Sequence, residues 1–209
     1  MAEKVKLNKV ELTRLRRDVK SYEQFLPVLK LKQEQLQAEQ LRIRRELDLR
    51  REAFTRARDG WTPSLPLFGE ETLVDLVELT RPREIVIGSR TVAGVVVPVL
   101  EQVRYAEVEL SRFGTPAWVS RVLPRLRLLV QLQTELNVIE RQHQLVSAEL
   151  RRTTQKVNLF ELVLIPEATD AIRRIKIALG DLQVAAVGRA KIAKGKAVAN
   201  AAVRAEEAE

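Results

Sequence analysis

The chain has no cysteine, one histidine and one methionine, and only 4 % of its 209 residues are aromatic. The missing thiols exclude disulfides, thiolate metal sites and cysteine nucleophiles, and a single His143 excludes any multi-histidine metal centre. Long hydrophobic runs are also missing. The longest uncharged apolar stretch is Thr91–Leu100, interrupted by Pro98, against the roughly 20 residues a membrane-spanning helix needs. The opening MAEKVKLNKVELTRLRR has no apolar core of the signal-peptide kind, so no leader is expected and the expected location is cytoplasmic. Catalytic signatures are missing as well. There is no G-x-S-x-G, no H-E-x-x-H and no phosphate-binding loop, since Gly195-Lys196-Ala197 lacks the hydroxyl residue after the lysine. A non-catalytic protein without cofactor or metal is expected.

What is present is charge and aliphatic residues. Charged side chains make up 31 % and apolar ones 45 %, with a net charge of +8. Residues 1–60 carry 16 Lys+Arg against 10 Asp+Glu, whereas residues 61–115 carry 5 against 8. Turn formers follow the same division. Pro63, Pro66, Pro82 and Pro98 lie in the acidic middle, with Pro116 just past its edge, and Gly60, Gly69, Gly88, Gly94 and Gly114 cluster there too. Four segments follow: an N-terminal helix over 1–60, an insert over 61–115, a second helix over 116–166 and a helical extension over 167–209.

Both long segments keep a seven-residue apolar repeat. In the first, Leu12, Val19, Leu26, Gln33, Gln40 and Leu47 form one column, and Leu15, Tyr22, Leu29, Leu36, Ile43 and Arg50 the other. In the second, Leu129, Leu136, His143, Leu150, Val157 and Leu164 stand beside Leu132, Ile139, Val146, Thr153 and Phe160. A sustained period of 3.5 keeps one stripe against a partner helix. Two such helices of about 50 residues would each be roughly 75 Å long, and leaving either stripe wet costs about 1.5–3 kcal/mol per large apolar side chain. The economical arrangement is an antiparallel coiled coil of the two. Gln33, Gln40 and His143 then read as polar seam residues that fix register. Pro27 is expected to kink or interrupt the first helix near Tyr22–Glu23, Pro124 to kink the first turns of the second, and Pro166 to kink it again or start a new helix. Thr115-Pro116 reads as its start. Past Pro166 a stripe of Ile172, Ile175, Leu179, Leu182 and Ala186 continues, and from Val184 onward fraying is expected.

Within the insert, Thr72–Leu79 reads as a short helix. Glu84–Ile87 and Val95–Val103 read as two strands of a β-hairpin, with Pro98 holding the second at a sheet edge. An insert of about 55 residues is too small to sustain its own core and is expected to lean on the coiled coil or on a partner. The fold class is therefore mainly α: a long antiparallel two-helix coiled coil with a small α+β insert.

The basic arms raise a nucleic-acid reading, but Arg42, Arg44, Arg45, Arg50 and Arg51 are interleaved with Glu46, Asp48 and Glu52. Phosphate binding wants clustered cations with few acids nearby, and single-strand binding wants stacking aromatics. A solvated coiled-coil face accounts better for the pattern. Neither nucleic acid nor direct membrane insertion is expected.

The segment Arg151-Arg152-Thr153-Thr154-Gln155-Lys156-Val157-Asn158-Leu159-Phe160-Glu161, followed by Ile165-Pro166, resembles the R-T-x-x-R-V-N-A-L-E…I-P signature of the D subunits of V/A-type rotary ATPases. Lys156 stands for Arg, and Leu159-Phe160 replaces Ala-Leu. Val92-Ala93-Gly94-Val95-Val96-Val97-Pro98 is similar to the family's G-V-x-V-P stretch. Leu15-Arg16-Arg17 and Leu29–Leu36 resemble its first-helix pattern, from which Tyr22, Phe25 and Pro27 depart. The resemblance implies a central rotor stalk, peripheral to a membrane complex. Such a stalk transmits torque between a ring of catalytic A and B subunits and a membrane ring that moves ions. It implies as partners the A and B subunits, the small F subunit of the stalk and a funnel-shaped protein on the membrane ring. Arg151, Arg152, Lys156, Asn158 and Glu161 become candidate ring contacts, and Val92, Gly94, Val95, Val97 and Pro98 candidate contacts for the small stalk partner. Alternative readings are an unrelated coiled-coil scaffold or tether, the γ subunit of an F-type ATPase, whose middle domain is larger, and a nucleic-acid-binding coiled coil.

Overall fold

A computed structural model describes residues 6–60, 75–107 and 115–206, with the side chains of residues 117 and 198–206 left aside. Helix α1 runs over Lys9–Asp59. A short helix α2, Leu76–Thr80, leads into strands β1, Pro82–Val92, and β2, Val95–Tyr105. Helix α3 covers Ala117–Asn158. A π-helical turn, Leu159–Leu164, joins it to α4, Ile165–Glu206. The architecture is mainly α, with two long helical segments at the two ends of the sequence and a two-stranded antiparallel sheet between them.

The caps follow from local chemistry. Asn8 accepts the Glu11 N–H at 2.7 Å and so closes the start of α1, and Asp75 accepts the N–H groups of Val77 and Glu78 at the start of α2. Thr72, Leu73 and Val74, at the front of the expected short helix, lie outside the described residues. The Val119 N–H donates to the Pro116 carbonyl, so the first turn of α3 forms behind a proline that has no N–H to leave unpaired.

α1 passes through Pro27 without interruption and α3 through Pro124. The loss of one donor at Pro27 is offset by seam residues Leu26 and Leu29, which stay half-buried on either side of it. Pro166 is accommodated differently. The turn just before it widens, and the Ile165 N–H reaches back to the Phe160 carbonyl, five residues away. A π turn makes room where a ring replaces an N–H.

The molecule divides into two compact units, residues 1–30 with 155–209 and residues 31–154. In the second, α1 and α3 run antiparallel. Lys32 meets Glu149 at 2.6 Å, Gln40 meets Ser147 at 2.8 Å and Arg51 meets Glu140 at 2.8 Å, so partners rise along α1 as they fall along α3; Arg50 meets Glu135 at 2.8 Å on the same side of that trend. Its core joins Leu36, Ile43, Leu47, Leu136, Ile139 and Val146 to Val97 of β2, with Val92, Ala93, Val95 and Phe54 packed against them. The insert does lean on the helices. In the first unit, Leu12, Val157, Ala168, Ala171 and Ile175 are buried. Tyr22 and Phe160 meet edge to face at 5.2 Å, and Lys30 bonds Glu161 at 2.8 Å.

All but one of the 23 expected seam positions are buried or half-buried; the exception, Arg50, is exposed and salt-bridged to Glu135. Past Pro166 the expected stripe is kept as far as Leu179 and joined by two alanines. Ala168, Ala171 and Ile175 are the buried positions, Ile172 and Leu179 are half-buried, and Leu182 and Ala186 are exposed. The step from Phe160 to Leu164 to Ala168 is four and then four, a stutter in a pattern of threes and fours. α4 stays helical to Glu206, beyond the Val184 point where the thinning of large apolar residues suggests fraying.

Candidate interaction surface

No chemistry-bearing cluster competes for attention. Among the described residues, no three His, Asp or Glu side chains are grouped so as to hold a metal, and no helix is long and apolar enough to cross a membrane. His143 is half-buried and lines an open cleft of about 710 Å³ beside Gln40, Arg44, Asp48, Arg51 and Glu140. Its neighbours are charged and solvated, which suits a seam residue. The seam glutamines are paired: Gln33 Nε2 donates to Thr154 Oγ1 at 3.0 Å and Gln40 Nε2 to Ser147 Oγ at 2.8 Å. Each is a polar bond inside an apolar stripe, which favours one register over its neighbours.

Arg151 and Arg152 are exposed on α3 in the second unit. In the first unit, Lys156 and Asn158 are exposed at the end of α3, and Glu161 accepts from Lys30 within the π turn. Of the ring-contact candidates, Glu161 therefore has a bond inside its own unit. Thr153 of the same signature is 2 % exposed, so one run of residues supplies both seam and surface.

The hairpin is built around a two-residue turn. Ala93 (φ 47°) and Gly94 (φ 81°) both lie in the left-handed region, as a type I′ turn requires, and Val92 pairs with Val95 across it. From that closing pair the ladder alternates, so Arg90–Val97 and Gly88–Val99 are bonded pairs and Ser89–Pro98 is not. Pro98 thus occupies a position where no N–H is needed for β1. Its carbonyl turns the other way and accepts Gln142 Nε2 of α3 at 2.6 Å. The register slips by one residue at Glu101, a bulge that folds the Glu101 side chain across Gly88, where a Cβ would collide with it.

The two faces of the hairpin differ. Val92, Val95 and Val97 face the helices, and Val97 is fully buried there. Three of the five candidate stalk-partner residues are thus part of the chain's own core or packed on it. Pro98 is half-buried and Gly94 is exposed at the tip. The opposite face carries Ile85 (43 % exposed), Ile87 (54 %) and Val96 (62 %). The sequence does not single out this row, because the two faces of a valine-rich strand look alike until register is known.

Charged and polar bonds hold the hairpin down. Arg90 reaches Glu39 of α1 at 2.9 Å, and Arg42 holds the same carboxylate at 2.7 Å. The hydrogen bond from Arg42, aided by the charges of Arg42 and Arg90, keeps the Glu39 carboxyl below its ordinary range against the opposing effect of burial. At the far end Tyr105 donates to the Arg127 carbonyl at 2.8 Å, and the Arg127 guanidinium lies 4.9 Å from the Tyr105 ring centre. Arg127 also donates to the carbonyls of Leu79 and Ala106, tying α2 and the end of β2 to α3. Burial raises the Tyr105 phenol above its usual range, with Arg127 opposing.

The family model for the ATP synthase D subunit matches residues 11–195. The chain is similar to the V-type ATP synthase D subunit of Borreliella burgdorferi, with 32 % identity over 195 residues that cover 93 % of this chain and 96 % of the relative. It is likewise 32 % identical to that of Chlamydia felis, over 91 % of this chain and 89 % of the relative. The corresponding protein of Chlamydia trachomatis serovar L2 is 32 % identical over 94 % of this chain and 97 % of the relative.

Proposed function

Since the chain belongs to the ATP synthase D-subunit family, we propose that it is the central stalk of a V/A-type ATPase and carries torque rather than chemistry. It turns inside a ring of catalytic A and B subunits and couples their ATP hydrolysis or synthesis to ion movement through a membrane ring. It works at the cytoplasmic face, peripheral to the membrane, with the small F subunit of the stalk and a funnel-shaped protein as its other partners. The observation that carries this reading is the zipped seam: N-terminal and C-terminal helices held side by side in both units, with polar pairs setting register.

The physics is that of a cam. Catalytic sites that are chemically alike stay equivalent unless something asymmetric touches them differently. A shaft does so by contacting each site's supporting elements in turn and shifting an open–closed equilibrium at each. Moving such an equilibrium from 1:99 to 99:1 takes about 5.5 kcal/mol of differential contact energy. A few charge-assisted contacts to acidic loops supply that order of energy. The exposed Arg151, Arg152 and Lys156 are proposed for this work, with Asn158 and Glu161 beside the last of them in the sequence. Resistance to twist comes from the packed seam.

The test is reconstitution with the ring and stalk proteins. Replacing Arg151, Arg152 and Lys156 together by Gln should leave the chain folded but lower coupled ATPase activity or assembly by about tenfold, the loss expected for one or two charge-assisted bonds. Undiminished coupled turnover in that variant removes these residues from the ring contact. We also propose that the insert recruits the small stalk partner. Because Val97 belongs to the core, the informative variants lie on the outer face of the hairpin.

A further inference from the structure

We propose that the stretch around Pro27 and the π turn is a soft joint, a place where the two long helical segments bend and twist more readily than on either side of it. Two helix irregularities stand at the same height in the first unit. On α1, Pro27 has no N–H, so the Glu23 carbonyl one turn back receives no helix bond from it. On the other segment, Leu159–Leu164 winds as a π turn, and Pro166 just after it again lacks an N–H. Two contacts fix their height. Tyr22 meets Phe160 edge to face at 5.2 Å, and Lys30 bonds Glu161 at 2.8 Å. The residues on both sides of Pro27 therefore touch the π turn. Prolines and π turns are the usual places where long helices bend, and here neither helix is regular enough to splint the other.

The packing thins at the same place. On α1 no residue between Leu12 and Leu36 is buried, and on the other segment none between Val157 and Ala168. The seam residues there, Leu15, Val19, Leu26 and Leu29 on α1 and Leu164 in the π turn, are only half-buried. Phe25 and Val28, on either side of Pro27, are exposed, as are Leu159, Leu162 and Val163 of the π turn. Elsewhere fully buried side chains close the seam: Leu36, Ile43 and Val146 in the second unit and Ile175 in the first. The division into compact units falls on this stretch as well, after residue 30 and after residue 154. Local opening costs least where few apolar groups are buried and backbone bonds are missing. Both conditions hold on both segments. The extra residue of the π turn sets the mean winding, and the thin packing widens the spread about it. The joint is a property of this chain by itself and goes beyond the stalk reading. In a chain that carries torque, this stretch takes up twist first.

The chain has no cysteine, so spin labels attach only where one is introduced. Two doubly labelled full-length chains are compared by electron–electron distance measurement. Lys20→Cys with Ala38→Cys brackets Pro27 on α1, and Gln37→Cys with Thr55→Cys lies beyond it on the same helix; all four positions are exposed. Each pair is 18 residues apart, which is five whole turns, or about 27 Å along an α-helix. The first pair should give a broader distance distribution than the second, and the excess width should shrink when Pro27→Ala is added. Amide hydrogen exchange of the unlabelled chain, corrected for intrinsic rates, is the second readout. Amides in 24–31 and 159–167 should exchange about tenfold or more faster than those around Leu36 and Ile43, the effect of a missing backbone bond in thinly packed helix. Pro27→Ala should slow both stretches, the π turn included. Equal widths for the two pairs in the chain that keeps Pro27 overturn the joint. It is overturned too if Pro27→Ala leaves the first width unchanged, or slows exchange on α1 alone, because the two irregularities then act separately. None of these outcomes bears on the stalk reading, which reconstitution tests by itself.

Discussion

Glu39 shows how much one side chain can hold. It receives Arg42 from its own helix and Arg90 from the hairpin, and its carboxyl titrates below the ordinary 4.5. A depressed carboxyl contributes stability that is present above the unfolded-state pKa and lost as pH falls through the folded-state value. Hairpin amides are therefore expected to exchange faster as pH is lowered below about 4.5, after correction for intrinsic rates. Glu39→Gln should show weaker protection at neutral pH and a flatter dependence on acid. Val97 makes the opposite kind of contribution, purely apolar. It is fully buried between two helices and a strand, so Val97→Ala should cost about 1–3 kcal/mol in urea unfolding, from lost burial plus a cavity. A smaller cost would mean that the hairpin re-seats itself over the helices.

At the level of elements, the helices are legible in the sequence and the surfaces are not. A heptad pattern states which side of a helix is dry, and 22 of the 23 seam positions read from it are buried or half-buried. The hairpin is legible as a pair of valine-rich strands around Gly94, but its polarity is not. With Val95, Val96 and Val97 in succession, only the positive φ of Ala93 and Gly94 and the resulting register decide that Val97 goes inward and Val96 outward. Proline misleads. Of the kink or interruption expected at Pro27, the interruption does not occur, because one missing bond costs less than unzipping the seam around it. The residual cost is testable: Pro27→Ala restores the donor and should raise stability by about 1–3 kcal/mol, measured as a higher urea midpoint with an unchanged m-value. Of the stripe expected beyond Pro166, Ile172, Ile175 and Leu179 are buried or half-buried while Leu182 and Ala186 are exposed, and the buried Ala168 and Ala171 lie outside it, since nothing in the apolar pattern announces a wider turn.

For the molecule as a whole, the division of labour follows burial. The buried positions of α4 end at Ile175, and Asp181–Ala197 is exposed apart from half-buried Gly188. Side chains that touch little contribute little. A chain ending at Gly180 is expected to unfold within about 0.5 kcal/mol of the full chain in urea, while its assembly with the ring proteins is measured separately. A large loss of stability in the shortened chain would show that α4 has a partner surface for its last turns.

The wide turn at Leu159–Leu164 bears on how such a helix tolerates insertions and deletions. Ile165 reaches back five residues rather than four, so everything after it is set about 100° out of step with an unbroken α-helix. Removing a single residue from this turn would let the backbone close into regular spirals yet swing Ala168, Ala171 and Ile175 off the side they now occupy. Pro166, which has no N–H to offer the ladder, sits just after the looser winding. The surplus residue works as a fixed angular offset, a key cut into the helix that decides which way its far end faces.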